Sequence, residues 1–366
     1  MNKKRVIFIT IHAVSNYGSV LQTYATDYIL RQLGVEVQIL NYIPERVTYR
    51  RFLCRQLSKW WRIPLIPLSS LFFVFNRRIY QGFLQRHCRL SPPYYCMDDI
   101  KRDIPLADVY VTGSDQVWNS IYNGGIDEMY FFSYLPVGSR IISFASSFGR
   151  ESLPEQEQYA VGKFLRRYSR LSVREQSAKT LLENMGFTDV EWLLDPTLLL
   201  DKDAWYRQLI KHRVIKHPYL VVYTPYDAAS KEVIYRTARK IARVRRLKII
   251  TFSWSGLPEL RADRTLSFAG PLTFLSVMYH ADCVVTTSFH GTAFSINFNR
   301  QFWVYKPVRF STRLHSILEL TGLTHRVLQD VIPDEMIGRD IDYSEPNRIL
   351  HAERRKSRDF LVQALK

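Results

Sequence analysis

Cysteine is scarce in this sequence: Cys54, Cys88, Cys96 and Cys283 are the only four in 366 residues. They show neither paired close spacing nor the density of a disulfide scaffold, which excludes a cystine-stapled fold and points to a reducing compartment. Zinc-type spacing is missing too. No apolar run reaches the ~20 residues needed to span a bilayer. The run Ile63 to Phe75 carries two prolines and two serines. The basic start Met1-Asn2-Lys3-Lys4-Arg5 is like that of a signal peptide, but Val6 to Ile11 is too short before His12 and Ser15-Asn16 interrupt it. We read Val6 to Ile11 as a first buried strand and expect a protein that is soluble or membrane-associated, not membrane-spanning. Low-complexity tracts and short-period repeats are absent.

Acidic residues are also few. Thirty-four Asp and Glu face 51 Lys and Arg, a formal +17, and such a field attracts polyanions, anionic lipid surfaces or anionic small substrates. Between Arg46 and Met97 there is no acid at all, while ten Arg or Lys mix with Trp60, Trp61, Phe72, Phe73, Phe75 and several Tyr. This stretch reads either as an inserted helical subdomain with solvated cations or as a basic amphipathic patch on an anionic leaflet.

What is present is ordinary globular composition, 46% apolar and 23% charged, on a chain long enough for two cores. Residues 5 to 42 read as strand, loop, helix, strand: Arg5 to Ile11, Ser15 to Ser19, Val20 to Leu33 with Gly34 as stop, and Val35 to Tyr42. Strand patterns recur at Ala107 to Thr112, Arg140 to Ala145, Ser169 to Val173 and Val190 to Leu194. A second series follows at Tyr219 to Thr224, Lys248 to Ser253, Asp282 to Thr287 and Gln301 to Tyr305. Helical patterns cover Ser230 to Val244, Leu272 to Tyr279 and Gly291 to Asn297, and Glu345 to Lys366 reads as a terminal helix able to pack on either domain. Strands alternating with helices imply parallel sheets covered on both faces. The boundary falls near residues 196 to 215, giving an N-terminal domain over 1–200 with a basic insertion at about 46–97, and a C-terminal domain over 201–366.

Two polar strand ends stand out, and together they suggest a cleft. Cys283 to Thr287 runs into Ser288-Phe289-His290-Gly291 at a helix start, which aims backbone N–H groups and an imidazole at a spot suited to an anion. His290 could bind an anion or move a proton there, or serve as a structural hydrogen bonder. The strand Ala107 to Thr112 ends in Gly113-Ser114-Asp115-Gln116-Val117-Trp118-Asn119, with Asp115 as a base or as the cap of the helix that follows. Asn16-Tyr17-Gly18-Ser19 opens the first helix as a polar-group loop or a plain turn; it lacks the G-x-G-x-x-G pattern, so no dinucleotide is inferred. Arg174 ends a strand at the edge expected for Asp115, either as a fork for carboxylate or phosphate or in a surface ion pair with Glu175. Asp201-Lys202-Asp203 has D-x-D spacing in an expected loop, a weak metal signal, and Gly124-Gly125 indicates a turn.

Five motifs in order resemble the polysaccharide pyruvyl transferase family: Asn16 to Gln22, Gly113 to Asn119, Ser172 to Glu175, Leu194-Asp195-Pro196-Thr197 and Ser288 to Gly291. The resemblance implies an α/β fold of two Rossmann-like domains facing a cleft, similar to GT-B glycosyltransferases. It also implies transfer of the enolpyruvyl group of phosphoenolpyruvate onto two hydroxyls of a sugar, as a ketal, in exopolysaccharide, capsule or related cell-surface glycan assembly. In that reading His290 resembles the family's donor-binding or proton-transferring histidine, Arg174 a donor-anion arginine, and Asp115 is the acceptor-side base. Ser288, Phe289, Gly291, Asn16, Gly18, Ser19, Ser114 and Gln116 would complete substrate binding. Many members carry arginine and leucine before the histidine, where this chain has Ser288 and Phe289. Lys306, Arg309 and Arg313 are the candidates to replace that arginine.

The expected partners are phosphoenolpyruvate, a glycan or lipid-linked glycan acceptor, and an anionic membrane contacted peripherally from the cytoplasmic side. No cofactor is expected and no metal ligands are assigned; nucleic acid is not an expected partner, since no nucleic-acid module is recognisable. Two other readings compete: a GT-B glycosyltransferase using a nucleotide sugar, and a non-catalytic basic protein binding membrane or nucleic acid.

Overall fold

The computed structural model describes residues 3–225, 231–306 and 312–366. The chain divides into two compact units, one formed by Met1–Leu199 with Arg355–Lys366 and one by Leu200–Arg354. Each is built around a six-stranded sheet in which every strand pair is parallel. The α/β fold expected from the strand–helix alternation is the fold observed.

The first sheet contains β1 (Arg5–Ile9), β2 (Glu36–Ile39), β3 (Val109–Thr112), β4 (Ile141–Ser143), β5 (Tyr168–Val173) and β6 (Val190–Trp192), in the order β2-β1-β3-β4-β5-β6. Its central strands are apolar without alternation, and β3 and β4 are buried along their whole length. That is the pattern of strands covered by helices on both faces. The second sheet contains β7 (Tyr219–Tyr223), β8 (Lys248–Ser253), β9 (Arg264–Ser267), β10 (Cys283–Thr286), β11 (Gln301–Tyr305) and β12 (Val327–Leu328), in the order β12-β11-β10-β7-β8-β9. Read from the other edge, this is the 3-2-1-4-5-6 order of the dinucleotide-binding fold.

Several boundaries differ from the sequence reading. β1 stops at Ile9, because Thr10 and His12 turn their side chains to hydrogen bonds at the strand end. The first helix begins at Tyr17, earlier than Val20, because the Asn16 side chain accepts from the Ser19 N–H and caps it. Strands β9 and β12 were not expected. Both lie at sheet edges: β9 buries only Leu266 and β12 has two residues, so neither carries a readable apolar pattern.

The basic insertion is helical, with helices over Tyr49–Leu57 and Ile66–His87. The far end of the second is anchored on the first helix of the fold: Tyr80, Phe83 and Leu84 are buried, with Tyr80 against Tyr17 at 5.3 Å between ring centres and Phe83 against Tyr24 at 5.9 Å. The near end packs on the insertion's own first helix, with Phe73 stacked on Phe52 at 4.6 Å, and leaves Leu57, Trp60, Trp61, Leu65, Leu71 and Phe75 exposed, Trp60 at 77%. No helix among the described residues is long and apolar enough to cross a membrane. The terminal helix, Ser344–Leu365, ends on the first sheet's unit, where Arg140 donates to the Ala364 carbonyl at 2.9 Å and Leu361 is fully buried.

Candidate functional site

In the first sheet the chain winds outward from β1 to β2 on one side and from β3 to β4 on the other. The loops leaving β1 and β3 therefore flank a topological switch point, where open α/β sheets bind ligands. Gly113 leads into the second loop; a Cβ there would lie 3.2 Å from the Ile9 carbonyl oxygen, so glycine lets the two strand ends stay close. Asp115 then adopts the left-handed region at φ 75°, a conformation Asp tolerates better than most residues.

The Asp115 carboxylate is closely held. Oδ2 accepts from Ser19 Oγ at 2.6 Å, Oδ1 accepts from the Gln116 N–H at 2.9 Å, and Arg174 Nη2 stands 3.5 Å from Oδ1. The other arm of Arg174, Nη1, donates to Asp195 Oδ2 at 2.5 Å. Asp195 also accepts from Ser114 Oγ at 3.1 Å and from the Thr197 N–H and hydroxyl at 2.9 and 2.6 Å. Thr10 Oγ1 donates to the Ser114 carbonyl at 2.6 Å and accepts from Gln22 Nε2 at 2.9 Å. Asp115, Arg174 and Asp195 are all buried. Burial works against the guanidinium charge, but the carboxylates of Asp195 and Asp115 outweigh it and the Arg174 pKa ends raised.

This arrangement corrects two of the open alternatives. Arg174 does not form a surface pair with Glu175: both are buried, and Glu175 Oε1 accepts from Ser147 Oγ and from the Phe148 and Gly149 N–H groups at 2.9–3.1 Å. Asp115 does not cap the following helix either, since Asn119 caps Ser120–Asn123. Gln116 reaches Asn119, whose Nδ2 donates to Gln116 Oε1 at 2.6 Å, and Gly149 packs so tightly beneath that a Cβ would meet Oε1 at 2.4 Å. Asn16 is occupied as the cap of the first helix, with Gly18 buried in its first turn.

The second sheet has its own switch point, between β7 and β10. Thr286 Oγ1 donates to the Tyr223 carbonyl at 2.6 Å and accepts from the Ser288 N–H at 3.0 Å, turning the chain into the helix Phe289–Asn297. Ser288 caps it through Gly291 N–H at 3.3 Å. At Gly291 a Cβ would come 2.3 Å from Thr286 Oγ1 and 3.0 Å from the Tyr223 ring, so this helix can sit on its strand only with glycine there. His290 is buried with 5% exposure, its ring edge-on to Phe289 at 5.0 Å. Of the three candidate cations, Arg313 is buried with its guanidinium 5.6 Å over the Phe289 ring, Lys306 is exposed, and Arg309 lies outside the described residues. The cation–π contact fixes Arg313 beside the helix start.

The family model described as polysaccharide pyruvyl transferase matches residues 16–306, most of the chain and all five motifs. The chain belongs to this family. The protein is therefore a transferase of polysaccharide pyruvylation. Among solved structures, it is similar to UDP-N-acetylglucosamine 2-epimerase from Rickettsia bellii (8% identity, TM-score 0.54, covering 99% of this chain and 96% of that one). It is also similar to a Listeria monocytogenes protein assigned as a UDP-N-acetylglucosamine 2-epimerase (11% identity, TM-score 0.52, covering 99% and 91%). At these identities the likeness concerns the fold. Comparison with curated proteins gives no match.

In this pyruvyl transferase the structure brings Ser19, Ser114, Asp115, Gln116 and Arg174 to one sheet edge, and Ser288, Phe289, His290 and Gly291 to one strand–helix turn. Asp195 lies in the fourth motif, and its part in this network is visible only in the structure, although an acid between a strand end and Pro196-Thr197 is a signal for a side chain held by its own backbone. His12 was missed. It is fully buried at the β1 end, with Nδ1 3.1 Å from the Thr10 carbonyl and Nε2 3.1 Å from Asn41 Oδ1, and burial lowers its pKa. Asp201 of the D-x-D spacing caps the helix Lys202–Leu209 through the Ala204 N–H. No group of three or more His, Cys, Asp or Glu among the described residues could hold a metal ion.

Proposed function

We propose that this transferase moves the enolpyruvyl group of phosphoenolpyruvate onto two hydroxyls of a sugar in a cell-surface glycan or its lipid-linked precursor. The donor methylene gains one proton and becomes a methyl group, leaving an oxocarbenium-like carbon that both sugar oxygens attack. Two C–O bonds form, the C–O bond to phosphate breaks, and inorganic phosphate leaves with the second hydroxyl proton.

Asp115 is the base that takes a hydroxyl proton. The observation that carries this role is the Asp115–Arg174 contact: a guanidinium 3.5 Å away favours the carboxylate form that a base requires. Because Arg174 also engages Asp195, its contacts support a positioning role toward Asp115 alongside the donor-anion role implied by the family. His290 binds the donor or protonates its methylene, and Arg313, stacked on Phe289, takes the place of the missing arginine as a donor-anion ligand. Ser288, Gly291, Asn16, Gly18, Ser19, Ser114 and Gln116 line the two substrate sides.

The insertion lies on the inner face of the cell membrane. Its ten cations without one acid complement an anionic leaflet, and its exposed Trp60, Trp61 and Leu65 enter the interface. Sedimentation with phosphatidylglycerol vesicles tests this: Trp60→Ser with Trp61→Ser should leave the protein in the supernatant.

One observation favours a second reading. A cavity of about 470 Å³ at the ends of β7 and β8 is lined by Tyr235, Phe252 and Trp254, which could stack on the base of a nucleotide sugar. The two readings separate when the protein is incubated with phosphoenolpyruvate, a mixture of nucleotide sugars, and glycan from cells lacking it. Pyruvyl transfer predicts phosphate release matched by a glycan that gains the mass of pyruvate less one water. Sugar transfer from a nucleotide donor, with no phosphate released from phosphoenolpyruvate, would replace the first reading by the second.

A further inference from the structure

A cavity of about 530 Å³ in the first unit lies apart from the Asp115 network and is walled by three arginines, Arg46, Arg51 and Arg55, with Tyr42, Tyr122 and Asp127. Its floor is rigid. Arg46 stands 3.4 Å from Asp127 Oδ2, donates to Tyr130 Oη at 3.3 Å, and lies over the Tyr122 and Tyr130 rings at 5.5 and 6.0 Å. The Tyr42 hydroxyl donates to the same carboxylate at 3.0 Å. Asp127 thus answers the charge of Arg46.

The wall is different. Arg51 and Arg55 are four residues apart on the helix Tyr49–Leu57, hence on one face, where like charges repel. Neither side chain pairs with a carboxylate among the described residues, and Glu45, the other acid lining the cavity, offsets only one of them. Arg51 and Arg55 are both exposed beside a polar space of this size, and guanidinium forks suit phosphoryl oxygens, which they bind bidentately.

Two neighbours say which phosphoryl compound. On one side, Tyr122 belongs to the short helix capped by Asn119, which bonds Gln116, whose N–H bonds Asp115, so the cavity and the acceptor-side base share one loop. On the other side, the helix carrying Arg51 and Arg55 leads straight into the exposed Leu57, Trp60 and Trp61. We infer that this cavity binds the phosphoryl groups of a lipid-borne ligand, specifically the diphosphate joining the acceptor glycan to its lipid carrier. The inference rests on the pyruvyl-transfer reading for the glycan alone; the anion site stands on its own geometry.

Isothermal titration of inorganic pyrophosphate into the full chain, in the presence of saturating phosphoenolpyruvate, tests it. Wild type should bind saturably, and Arg51→Gln with Arg55→Gln should weaken binding at least tenfold while phosphoenolpyruvate affinity and the unfolding midpoint stay unchanged. Equal affinity in both proteins, or none in wild type, overturns the inference. Failure to bind phosphoenolpyruvate would instead remove the donor reading and leave the pyrophosphate result standing. Vesicles of phosphatidylcholine with farnesyl diphosphate, against phosphatidylcholine with phosphatidylglycerol, identify the source. Loss of binding by the variant on the diphosphate vesicles supports the carrier diphosphate. Loss confined to the phosphatidylglycerol vesicles overturns that source in favour of a phospholipid headgroup.

Discussion

Arg174 and Asp195 form an ion pair sealed from water: Nη1 lies 2.5 Å from Oδ2, and neither side chain is more than 1% exposed. Breaking a buried pair costs about 3–5 kcal/mol when the remaining charge is left uncompensated; here Arg174 keeps its longer 3.5 Å contact with Asp115, which places the cost of losing Asp195 toward the lower end. Asp195→Ala should therefore lower the urea midpoint sharply. Arg174→Met combined with Asp195→Leu should recover much of that stability while leaving transfer activity lost. A midpoint for Asp195→Ala equal to wild type would show that the pair is not closed in solution.

Asp115→Asn removes the base but keeps the shape, and Asn tolerates the φ of 75° found there. Activity should fall by about 10²–10⁴-fold, the usual contribution of general base catalysis. Phosphoenolpyruvate affinity and the unfolding midpoint should change little. Steady-state kinetics beside a thermal melt separate these outcomes.

Gly291→Ala places a methyl group 2.3 Å from Thr286 Oγ1 and 3.0 Å from the Tyr223 ring. The helix holding His290 must lift from its strand, and overpacking of this kind costs about 1–3 kcal/mol. We expect a lower melting temperature together with weaker donor binding. Gly124→Ala, where a Cβ meets nothing within 4 Å but φ is positive, should lower stability through backbone strain and leave donor binding intact.

Two buried groups give opposite pH dependences. Burial lowers the pKa of His12, so the unfolded chain binds the proton more readily; stability from neutral His12 is present above its unfolded value near 6.5 and declines as pH falls below it. Burial pushes Asp27 up to about 6, against the pull of Arg31, so the folded state holds the proton more tightly and stability declines as pH rises from about 4 to 6. Urea unfolding between pH 4 and 8 should show His12→Gln losing the first slope and Asp27→Asn losing the second.

The parallel sheets were legible because Val6 to Ile9, Val109 to Val111 and Val284 to Val285 are continuous apolar runs closed by polar turns. The edge strands were not, because Arg264–Ser267 is half solvent-facing and Val327–Leu328 is too short to carry a period. Arg174 and Asp115 were expected at one sheet edge from strand direction alone, and they lie there. The contact between Arg174 and Asp195 could not be read, since residues 21 apart meet only once β5 and β6 pair. The arginine cavity was hidden for a similar reason: the charge run at Arg46 to Arg55 was visible, but its far wall comes from Tyr122 and Asp127.

The central claim, a phosphoenolpyruvate-dependent pyruvyl transfer using His290 on the donor side, is tested most directly by titrating phosphoenolpyruvate into wild type, His290→Ala and Asp115→Asn. The account predicts saturable binding to wild type, binding at least tenfold weaker in the histidine variant, and near-wild-type affinity in the aspartate variant. No binding by folded wild-type protein, with a nucleotide sugar binding in its place, would contradict it.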